Sequence, residues 1–464
     1  MNGLLKKLGW VMLGTFLGFA LAFNFSADAQ HSDASPSSLP VDELRTFSEV
    51  FGKIKTDYVE PVPDRKLIKE AIIGMVSGLD PHSAYLDQEA YKELQTGTQG
   101  EFGGLGLEVT MDDGLVKVVS PIDDSPAAKA GMKPGDLIIK LDGEAVKGMT
   151  LNDAVKLMRG KPDTTISLTV LRKDVPKPLV ITLTRAIIKM KSVRLEEKDP
   201  GYAVMRISQF QERTAEDLAK AFDKFYKDNQ GHVKGIVLDL RNNPGGLLNA
   251  AVGVSAVFLP KDTLVVYTDG RIPDSKMHLT TLPENYLPGP TEEDFIATLP
   301  DAVKKVPLVV LVNGGSASAS EIVAGALQDQ KRGTIMGVRT FGKGSVQTIF
   351  PLGNNTALKL TTARYFTPKG RSIQAKGIDP DLVVPDDANS VEATLGIREA
   401  DLTGHLANPN DGKAGTPSAA SPAPEMATPQ LHAGKAGGKS GKPVDVQMDQ
   451  AISYLKKAQG DTQH

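Results

Sequence analysis

A short stretch rich in glycine, alanine and serine, residues 313–321, joins an apolar segment to a segment with helical periodicity. It contains three serines, Ser316, Ser318 and Ser320, and ends in Glu321. Small residues at a strand-to-helix turn let another backbone approach closely and leave the first helical N–H groups without partners. Such a turn can hold a nucleophile beside an oxyanion site. Taken alone, however, the turn favours a structural interpretation, because Ser318 and Glu321 have the spacing of a capping box.

A possible base for a serine nucleophile lies 25 residues after Ser318, where Lys343 stands between two glycines. A serine hydroxyl needs a base, and among the seven histidines only His232 and His278 lie in the same αβ region, without a motif around them. Burial disfavours the ammonium form, so a lysine in glycine-rich, apolar surroundings can take the proton instead. Gln347 shares a strand face with Lys343 if that strand already begins at Lys343. A Ser-Lys dyad is therefore the favoured chemistry.

The two motifs, GSASASE at residues 315–321 and TFGKGSVQ at residues 340–347, resemble the signature of the C-terminal processing peptidases, also called tail-specific proteases. The resemblance implies that Ser318 is the nucleophile, that Lys343 is the base and that Gln347 orients the lysine. It also implies a serine endopeptidase that needs neither a cofactor nor a metal ion.

A second glycine turn repeats the arrangement around Ser318. The apolar run 235–240 is followed by Asn-Asn-Pro-Gly-Gly at residues 242–246 and then by a helical segment. Two such turns indicate a crotonase-like αβ core in which each turn gives one N–H to an oxyanion hole. The family resemblance implies that Gly246 and Ala319 supply these N–H groups, with Gly245 as the alternative donor. Plain turn geometry is the structural interpretation of both glycines.

Residues 98–175 have a sequence pattern typical of short strands separated by turns, and they resemble a PDZ domain. The resemblance includes the loop Gly104-Leu105-Gly106-Leu107. Consecutive N–H groups in such a loop can bind a C-terminal carboxylate, and the following strand edge can pair with a peptide. A dinucleotide-binding loop is excluded because a strand, rather than a helix, follows. In relatives a PDZ arginine can report ligand binding, which makes Arg159 a regulatory candidate beside the alternative of an ordinary solvated charge.

The remaining segments predict an exported α/β multidomain protein. Residues 1–29 read as a signal peptide, with Lys6 and Lys7 before an apolar stretch and a cleavage site after Ala29, and an uncleaved anchor is the alternative. The other expected parts are an N-terminal helical region (41–97), the PDZ domain (98–175), the peptidase core (176–388), a disordered linker (403–443) and a C-terminal helix (444–460). A strand at residues 179–183 is expected to enter the core. The segment Leu79–Leu86, with Asp80, His82 and Ser83, is expected to be a helix end and a turn without a catalytic role.

Composition limits the partners. The chain has 464 residues, a net charge of −3 and no cysteine, so neither nucleic acid nor disulfide chemistry is indicated. The expected partners are protein substrates with exposed C-terminal tails, a second copy of the chain and possibly an adaptor, in the periplasm, with the membrane involved only through the signal segment.

Two other functions fit parts of the sequence. One is a PDZ scaffold with an inactive hydrolase core. The other is a phosphate-binding enzyme, because residues 337–343 match the motif G-x-x-x-x-G-K, but the next residue is Gly344 where the motif requires Ser or Thr.

Overall fold

The computed structural model describes residues 39–122, 124–173, 175–289, 291–385, 397–411 and 445–460. The described residues divide into two compact units, with the boundary between Ala71 and Ile72. In the first unit, helix α1 (Val41–Asp57) carries Asp42 and Glu43 in its first turn, where they complement the helix dipole. Helix α2 (Asp64–Ser77) begins in the first unit and ends in the second. Among the described residues, no helix has the length and apolar character to cross a membrane. The predicted signal peptide lies outside them.

The elements between α2 and residue 184 include the strands of a small sheet and several short helices. In chain order they are β1 (Ala84–Leu86), α3 (Gln88–Gln99), β2 (Glu101–Gly104), β3 (Leu107–Asp112), β4 (Leu115–Pro121), α4 (Pro126–Lys129), β5 (Leu137–Leu141), β6 (Glu144–Ala145), α5 (Leu151–Met158), β7 (Thr165–Leu171) and β8 (Leu179–Thr184). The sheet order is β3-β4-β5-β7-β8, with β6 paired to β5, so β3 is an edge strand. Apolar residues of these strands and of α5 share one buried cluster.

The strand at residues 179–184 corrects one expectation. It pairs antiparallel with β7 from Thr165 opposite Thr184 to Val170 opposite Leu179. The prediction that this strand enters the peptidase core is therefore wrong, and the PDZ sheet continues past residue 175. Its side chains alternate between partly buried and exposed, as expected for an antiparallel strand with one solvated face.

The larger αβ core follows. Its elements are β9 (Ala186–Lys189), β10 (Val193–Asp199), β11 (Tyr202–Ile207), α6 (Thr214–Asp228), β12 (Gly235–Asp239), α7 (Leu248–Phe258), β13 (Leu264–Gly270), β14 (His278–Thr280), β15 (Leu308–Val312), α8 (Ala319–Asp329), β16 (Thr334–Gly337), β17 (Ser345–Leu352), β18 (Thr356–Phe366), β19 (Leu382–Val383) and α9 (Val446–Gly460). The main sheet has the order β10-β11-β12-β15-β16-β19, parallel except for β10. The central strands β12 and β15 are wholly buried, and apolar except for Asp239 at the end of β12, because helices cover both faces.

A second sheet brings the lysine motif to the main sheet. Its order is β1-β18-β13-β14, and β17 also pairs with β18. The β17 and β18 strands form a hairpin in which Gln347 lies opposite Thr361, next to a bulge between Val346 and Gln347. The short strand β1 pairs with the same β18, with Ala84 opposite Lys359. The hairpin thus lies between the lysine loop and the segment around Asp80.

The C-terminal region differs from the expectation at one end. Helix α9 is found where residues 444–460 were expected to be helical. Of the segment predicted to be disordered, residues 412–443 lie outside the described residues. Residues 403–411 are described and packed: Asn408 donates hydrogen bonds to the carbonyls of Ser372 and Gln374. The start predicted at residue 403 is therefore too early, because this polar segment supplies buried backbone groups with partners.

Candidate active site

The turn between β15 and α8 sets Ser318 apart from its two neighbouring serines. Ser316 and Ser320 are fully buried, and their hydroxyls donate to the carbonyls of Leu240 (2.8 Å) and Asn243 (2.9 Å). Ser318 is only half-buried and has φ 55° and ψ −114°, a conformation that few residues other than glycine adopt. Ser316 and Ser320 therefore serve the fold, whereas Ser318 is held at a strained and partly accessible position.

Glu321 ties the serine turn to the lysine loop. Its Oε2 accepts the backbone N–H of Ser318 (2.8 Å) and that of Lys343 (2.9 Å), so these two nitrogens are separated by less than the sum of the two distances. Its Oε1 accepts the hydroxyl of Thr340 (2.5 Å) and the N–H of Gly342 (2.7 Å). Burial raises the pKa of Glu321 to about 7, while these four hydrogen bonds act to lower it. The capping interaction expected from the sequence is present, but it is one part of a larger junction.

Tyr365, on β18, joins the same two residues from the other side. Its hydroxyl donates to the backbone carbonyl of Lys343, and it also lies close enough to the side chain of Ser318 for the serine to influence its pKa. Burial raises the pKa of Tyr365 well above its ordinary value, so it remains a donor. The side chain of Ser318 and the backbone of Lys343 therefore meet at one phenol oxygen.

Lys343 lies in the loop before β17 and is half-buried. Within the described chain its amine forms no hydrogen bond or ion pair. Burial lowers the pKa of Lys343 to about 8, and the charge of Lys359 lowers it further, while Glu399, Glu321 and Asp80 act to raise it. An appreciable fraction of this amine is consequently neutral near pH 8, as a general base requires.

Gln347 is positioned by hydroxyl groups. Because β17 begins at Ser345, Lys343 lies outside the strand, and the condition under which alternation would place Lys343 and Gln347 on one strand face is not met. The Gln347 amide nitrogen donates to the hydroxyls of Ser345 (3.0 Å) and Thr361 (3.2 Å). Within the described residues its amide oxygen accepts no hydrogen bond and is free to receive a donor.

A chain of buried polar side chains reaches the residue after Lys343. The N–H of Gly344 donates to Gln374 Oε1 (3.0 Å), and Gln374 Nε2 donates to Glu399 Oε1 (2.9 Å). His82 Nε2 lies 2.8 Å from Glu399 Oε2. The loop around Lys343 is therefore fixed on both sides, by Glu321 and by Gln374.

The second glycine turn packs directly on the serine turn. A Cβ added at Gly245 would lie 2.7 Å from Ser318 Cβ and 2.9 Å from the N of Ala319. Gly246 has φ 143°, and a Cβ there would lie 2.0 Å from the carbonyl oxygen of Phe210. In the described part of the chain, neither the N–H of Gly246 nor that of Ala319 donates to an acceptor. Two unpartnered donors thus occur in the two turns that meet at Ser318.

The PDZ loop presents N–H groups in a similar way. The carbonyls of Leu105 and Gly106 accept from the N–H groups of Ala127 (3.0 Å) and Ile122 (2.8 Å). The N–H groups of Leu105 and Gly106 donate to no acceptor among the described residues. Gly104 ends β2, and Leu107 begins the edge strand β3. The loop therefore has free donors next to a free strand edge.

Arg159 follows helix α5 and lies at the boundary of the PDZ domain. Its guanidinium carbon is 5.2 Å from the ring centroid of Phe102, on β2. Strand β2 pairs with β9, the first strand after the PDZ sheet. The exposed arginine thus contacts an aromatic ring on the strand that pairs with β9.

No group of three or more metal-ligating side chains occurs within the part of the chain that the structure describes. Sequence reasoning assigned Glu321 only a local capping role and assigned no role to Tyr365. The capping spacing was the one signal for Glu321, and nothing local distinguishes Tyr365.

The fold and this arrangement define a serine peptidase that carries a PDZ domain. Family models agree: residues 201–384 match Peptidase family S41, residues 117–172 match a PDZ domain and residues 13–90 match the N-terminal domain of the activating protease CtpB. The chain belongs to the carboxy-terminal processing proteases of family S41.

Relatives that are similar over most of the chain support this family assignment. The chain is 46% identical over 427 residues to the carboxy-terminal-processing protease of Bartonella bacilliformis, covering 90% of this chain and 92% of the relative. It is 36% identical over 380 residues to the carboxy-terminal processing protease CtpB of Bacillus subtilis, covering 80% and 74%. Among solved structures it is similar to a photosystem II D1 C-terminal processing protease, with 33% identity, 73% of this chain and 86% of that chain covered, and a TM-score of 0.40.

Proposed function

We propose that this peptidase is an exported endopeptidase that cuts proteins after capturing their C-terminal tails, and that it uses Ser318 and Lys343 as a catalytic dyad. The observation that carries the proposal is the double connection between the two residues. Glu321 holds their backbone nitrogens on one carboxylate oxygen, and Tyr365 contacts both of them. A lysine whose pKa is lowered to about 8 lies at this junction.

In the proposed reaction, neutral Lys343 takes the proton of the Ser318 hydroxyl as Oγ attacks the substrate carbonyl. The N–H groups of Gly246 and Ala319 stabilise the oxyanion of the tetrahedral intermediate. The Lys343 ammonium then protonates the leaving amine, and the peptide bond breaks to give an acyl-enzyme. Lys343 next takes a proton from water, the hydroxide displaces Ser318, and the serine recovers its proton. The Gln347 amide oxygen is the acceptor available to orient the lysine amine.

Three variants test the dyad. We expect Ser318→Ala and Lys343→Ala each to lower kcat/KM for an unfolded protein substrate by about 10³-fold or more. Lys343→Arg is expected to be equally inactive because guanidinium does not deprotonate in proteins. A fluorophosphonate probe should label the wild type and leave Ser318→Ala unlabelled. Near-normal turnover by either alanine variant would refute the dyad.

For the PDZ domain we propose that the loop Gly104–Leu107 binds the C-terminal carboxylate of the substrate while the substrate chain pairs with β3. The free N–H groups of the loop and the free edge of β3 support this. A substrate tail ending in a free carboxylate should bind more tightly, in a fluorescence anisotropy titration, than the same tail with an amidated end. Equal affinities would argue against recognition of the carboxylate.

Arg159 is proposed to report ligand binding to the peptidase core, since it contacts Phe102 on the strand that pairs with β9. We expect Arg159→Ala to weaken stimulation by an added tail peptide while leaving labelling of Ser318 intact. Stimulation equal to that of the wild type would exclude the role.

Export to the periplasm and assembly into a homo-oligomer or with an adaptor remain part of the proposal. Export is supported by Lys6 and Lys7 before an apolar stretch and by the small residues Ala27 and Ala29. N-terminal sequencing of the protein from cell fractions should find a mature chain that begins at Gln30. Light scattering of that mature chain measures the number of subunits.

A further inference from the structure

The segment Leu79–Leu86 carries three polar residues to which sequence reasoning gave no role in the reaction. In the structure it forms the expected turn after α2 and continues into β1, which pairs with β18. Strand β18 is the partner of β17, which carries Gln347. The turn therefore packs against the hairpin next to the proposed base.

Asp80 is the centre of this contact. Its side chain is almost fully buried, and its Oδ1 accepts the hydroxyl of Thr361 on β18 (3.0 Å). The same oxygen accepts the N–H groups of His82 (2.9 Å) and Ser83 (3.0 Å), and Oδ2 accepts the Ser83 hydroxyl (2.6 Å). These hydrogen bonds lower the pKa of Asp80 although burial acts to raise it, so the group is a carboxylate at neutral pH.

Thr361 transmits this arrangement to Gln347. A hydroxyl has one proton, and the Thr361 proton is used in the bond to Asp80. Its oxygen can then only accept, and it accepts from Gln347 Nε2 (3.2 Å). The amide nitrogen of Gln347 is thereby fixed toward Thr361 and Ser345, and its oxygen is directed to the opposite side.

We propose that Asp80 is a positioning residue of the peptidase, which acts through the Thr361 hydroxyl to fix the amide of Gln347 and thereby the proposed base. The inference rests on the proposed dyad and deepens it. It needs no contact between Asp80 and the substrate. It also gives a function to a turn that is far from the lysine motif in the sequence.

The test uses the full chain and measures the pH dependence of kcat and KM for Asp80→Asn and Thr361→Val. The charged groups that face Lys343 are Lys359, Glu399, Glu321 and Asp80 itself, and His82 is paired with Glu399. Both variants should lower the kcat reached at high pH by about tenfold or more with KM nearly unchanged, because the base is displaced rather than the substrate site. Asp80→Asn should also move the acid limb of the profile to lower pH, since the carboxylate acts to raise the pKa of Lys343. Thr361→Val changes no charge and should not move it.

Two control variants distinguish a loss of positioning from a general loss of folding. Thr361→Ser retains the hydroxyl and should recover most of kcat. Asp87→Asn makes the same chemical change at the residue that follows this segment, where Asp87 caps α3 through the N–H of Ala90, and asparagine caps equally well. It should leave kcat and the pH profile unchanged.

The double variant Asp80→Asn/Thr361→Val tests whether the two residues act on Gln347 through the same series of hydrogen bonds. We expect its kcat to be no lower than that of the worse single variant. If Asp80→Asn moves the acid limb but leaves the kcat plateau intact, or if the two losses multiply, the positioning role is overturned. If instead the Lys343→Ala enzyme is active, the proposed dyad has failed, whatever the Asp80 variants show.

Discussion

At the scale of single residues, the pKa of the Lys343 amine determines the pH range in which the proposed site can work. Burial and the neighbouring cation of Lys359 lower the pKa of this amine, whereas three nearby carboxylates act to raise it. The balance leaves its pKa about 8, close to the working pH of a general base. The environment, rather than the residue type, therefore supplies the base.

This balance predicts the pH dependence of the enzyme. In the proposed dyad the neutral amine is the active form, so kcat/KM should rise with pH and level off above a midpoint near pH 8. Replacing Lys359 with Met removes a cation that lowers the pKa of Lys343, so the midpoint should move to higher pH. Lys359→Arg keeps the charge and should leave the midpoint in place. The profiles of the three enzymes check this, and an unmoved midpoint in Lys359→Met would exclude the coupling.

Glu321 is the second residue whose replacement has a definite outcome. Each of its oxygens accepts two hydrogen bonds, so in Glu321→Gln the amide nitrogen faces two donors. We expect a loss of stability of about 2–4 kcal/mol, seen as a lower Tm, together with loss of cleavage. Glu216→Gln, at a partly exposed position of α6, removes surface ion pairs with Lys220 and Arg213 and should change Tm little. An unchanged Tm in Glu321→Gln would mean that the junction does not hold the two segments together.

At the scale of elements, the site depends on two strand-to-helix turns that touch. Gly246 leads into α7 with φ 143° and lies against the backbone of Phe210, where no Cβ fits. Gly314 lies in the serine turn with open space around it. The same substitution at these two glycines therefore compares a position packed tightly against Phe210 with an open position in the serine turn.

We expect Gly246→Ala to reduce cleavage by about 10²-fold or more, since the turn must shift and take the proposed oxyanion donor with it. Gly314→Ala should keep near wild-type activity. Cleavage of one unfolded substrate, with Tm measured alongside, checks both variants. Equal activities would show that the position of the Gly246 turn does not matter for the reaction.

Comparison of these elements with the sequence shows what could be predicted. The C-terminal helix occurs at Val446–Gly460, within the residues expected, because apolar periodicity indicates it. The small-residue turn at Ser318 was also recognisable. Strand β8 was assigned to the wrong sheet because its alternating pattern fits any antiparallel neighbour and does not say which one.

The candidate site was predictable where its interactions are local. The bond of Glu321 to the N–H of Ser318 spans three residues and follows the capping pattern. Its bonds to Thr340, Gly342 and Lys343 span 19, 21 and 22 residues, and they exist only once the lysine loop has packed on α8. The bond from Thr361 to Asp80 spans 281 residues. Sequence spacing contains no signal for such partners.

At the scale of the whole molecule, helix α9 closes the face of the main sheet opposite to α6, α7 and α8. Its apolar residues Met448, Ile452 and Leu455 are buried against strand residues that include Val237 and Leu311. Arg241, just after β12, binds both Asp239 and Asp445, at the start of α9. This face of α9 is therefore used within the chain and is not free to bind a second copy.

The helix should accordingly contribute to stability through its buried face alone. Leu455 is fully buried, so Leu455→Ala removes apolar contacts and leaves a cavity, at an expected cost of about 2–4 kcal/mol. Lys457, two residues on, is exposed, and Lys457→Ala should change the stability by less than about 0.5 kcal/mol. Thermal unfolding of the two variants, followed by circular dichroism, measures the difference. Because Arg241 joins α9 to the strand that leads into the Gly246 turn, Leu455→Ala should also lose part of its kcat at temperatures where it is still folded. Equal Tm values for the two variants would mean that α9 leaves the sheet in solution, and its apolar face would then be available to a partner.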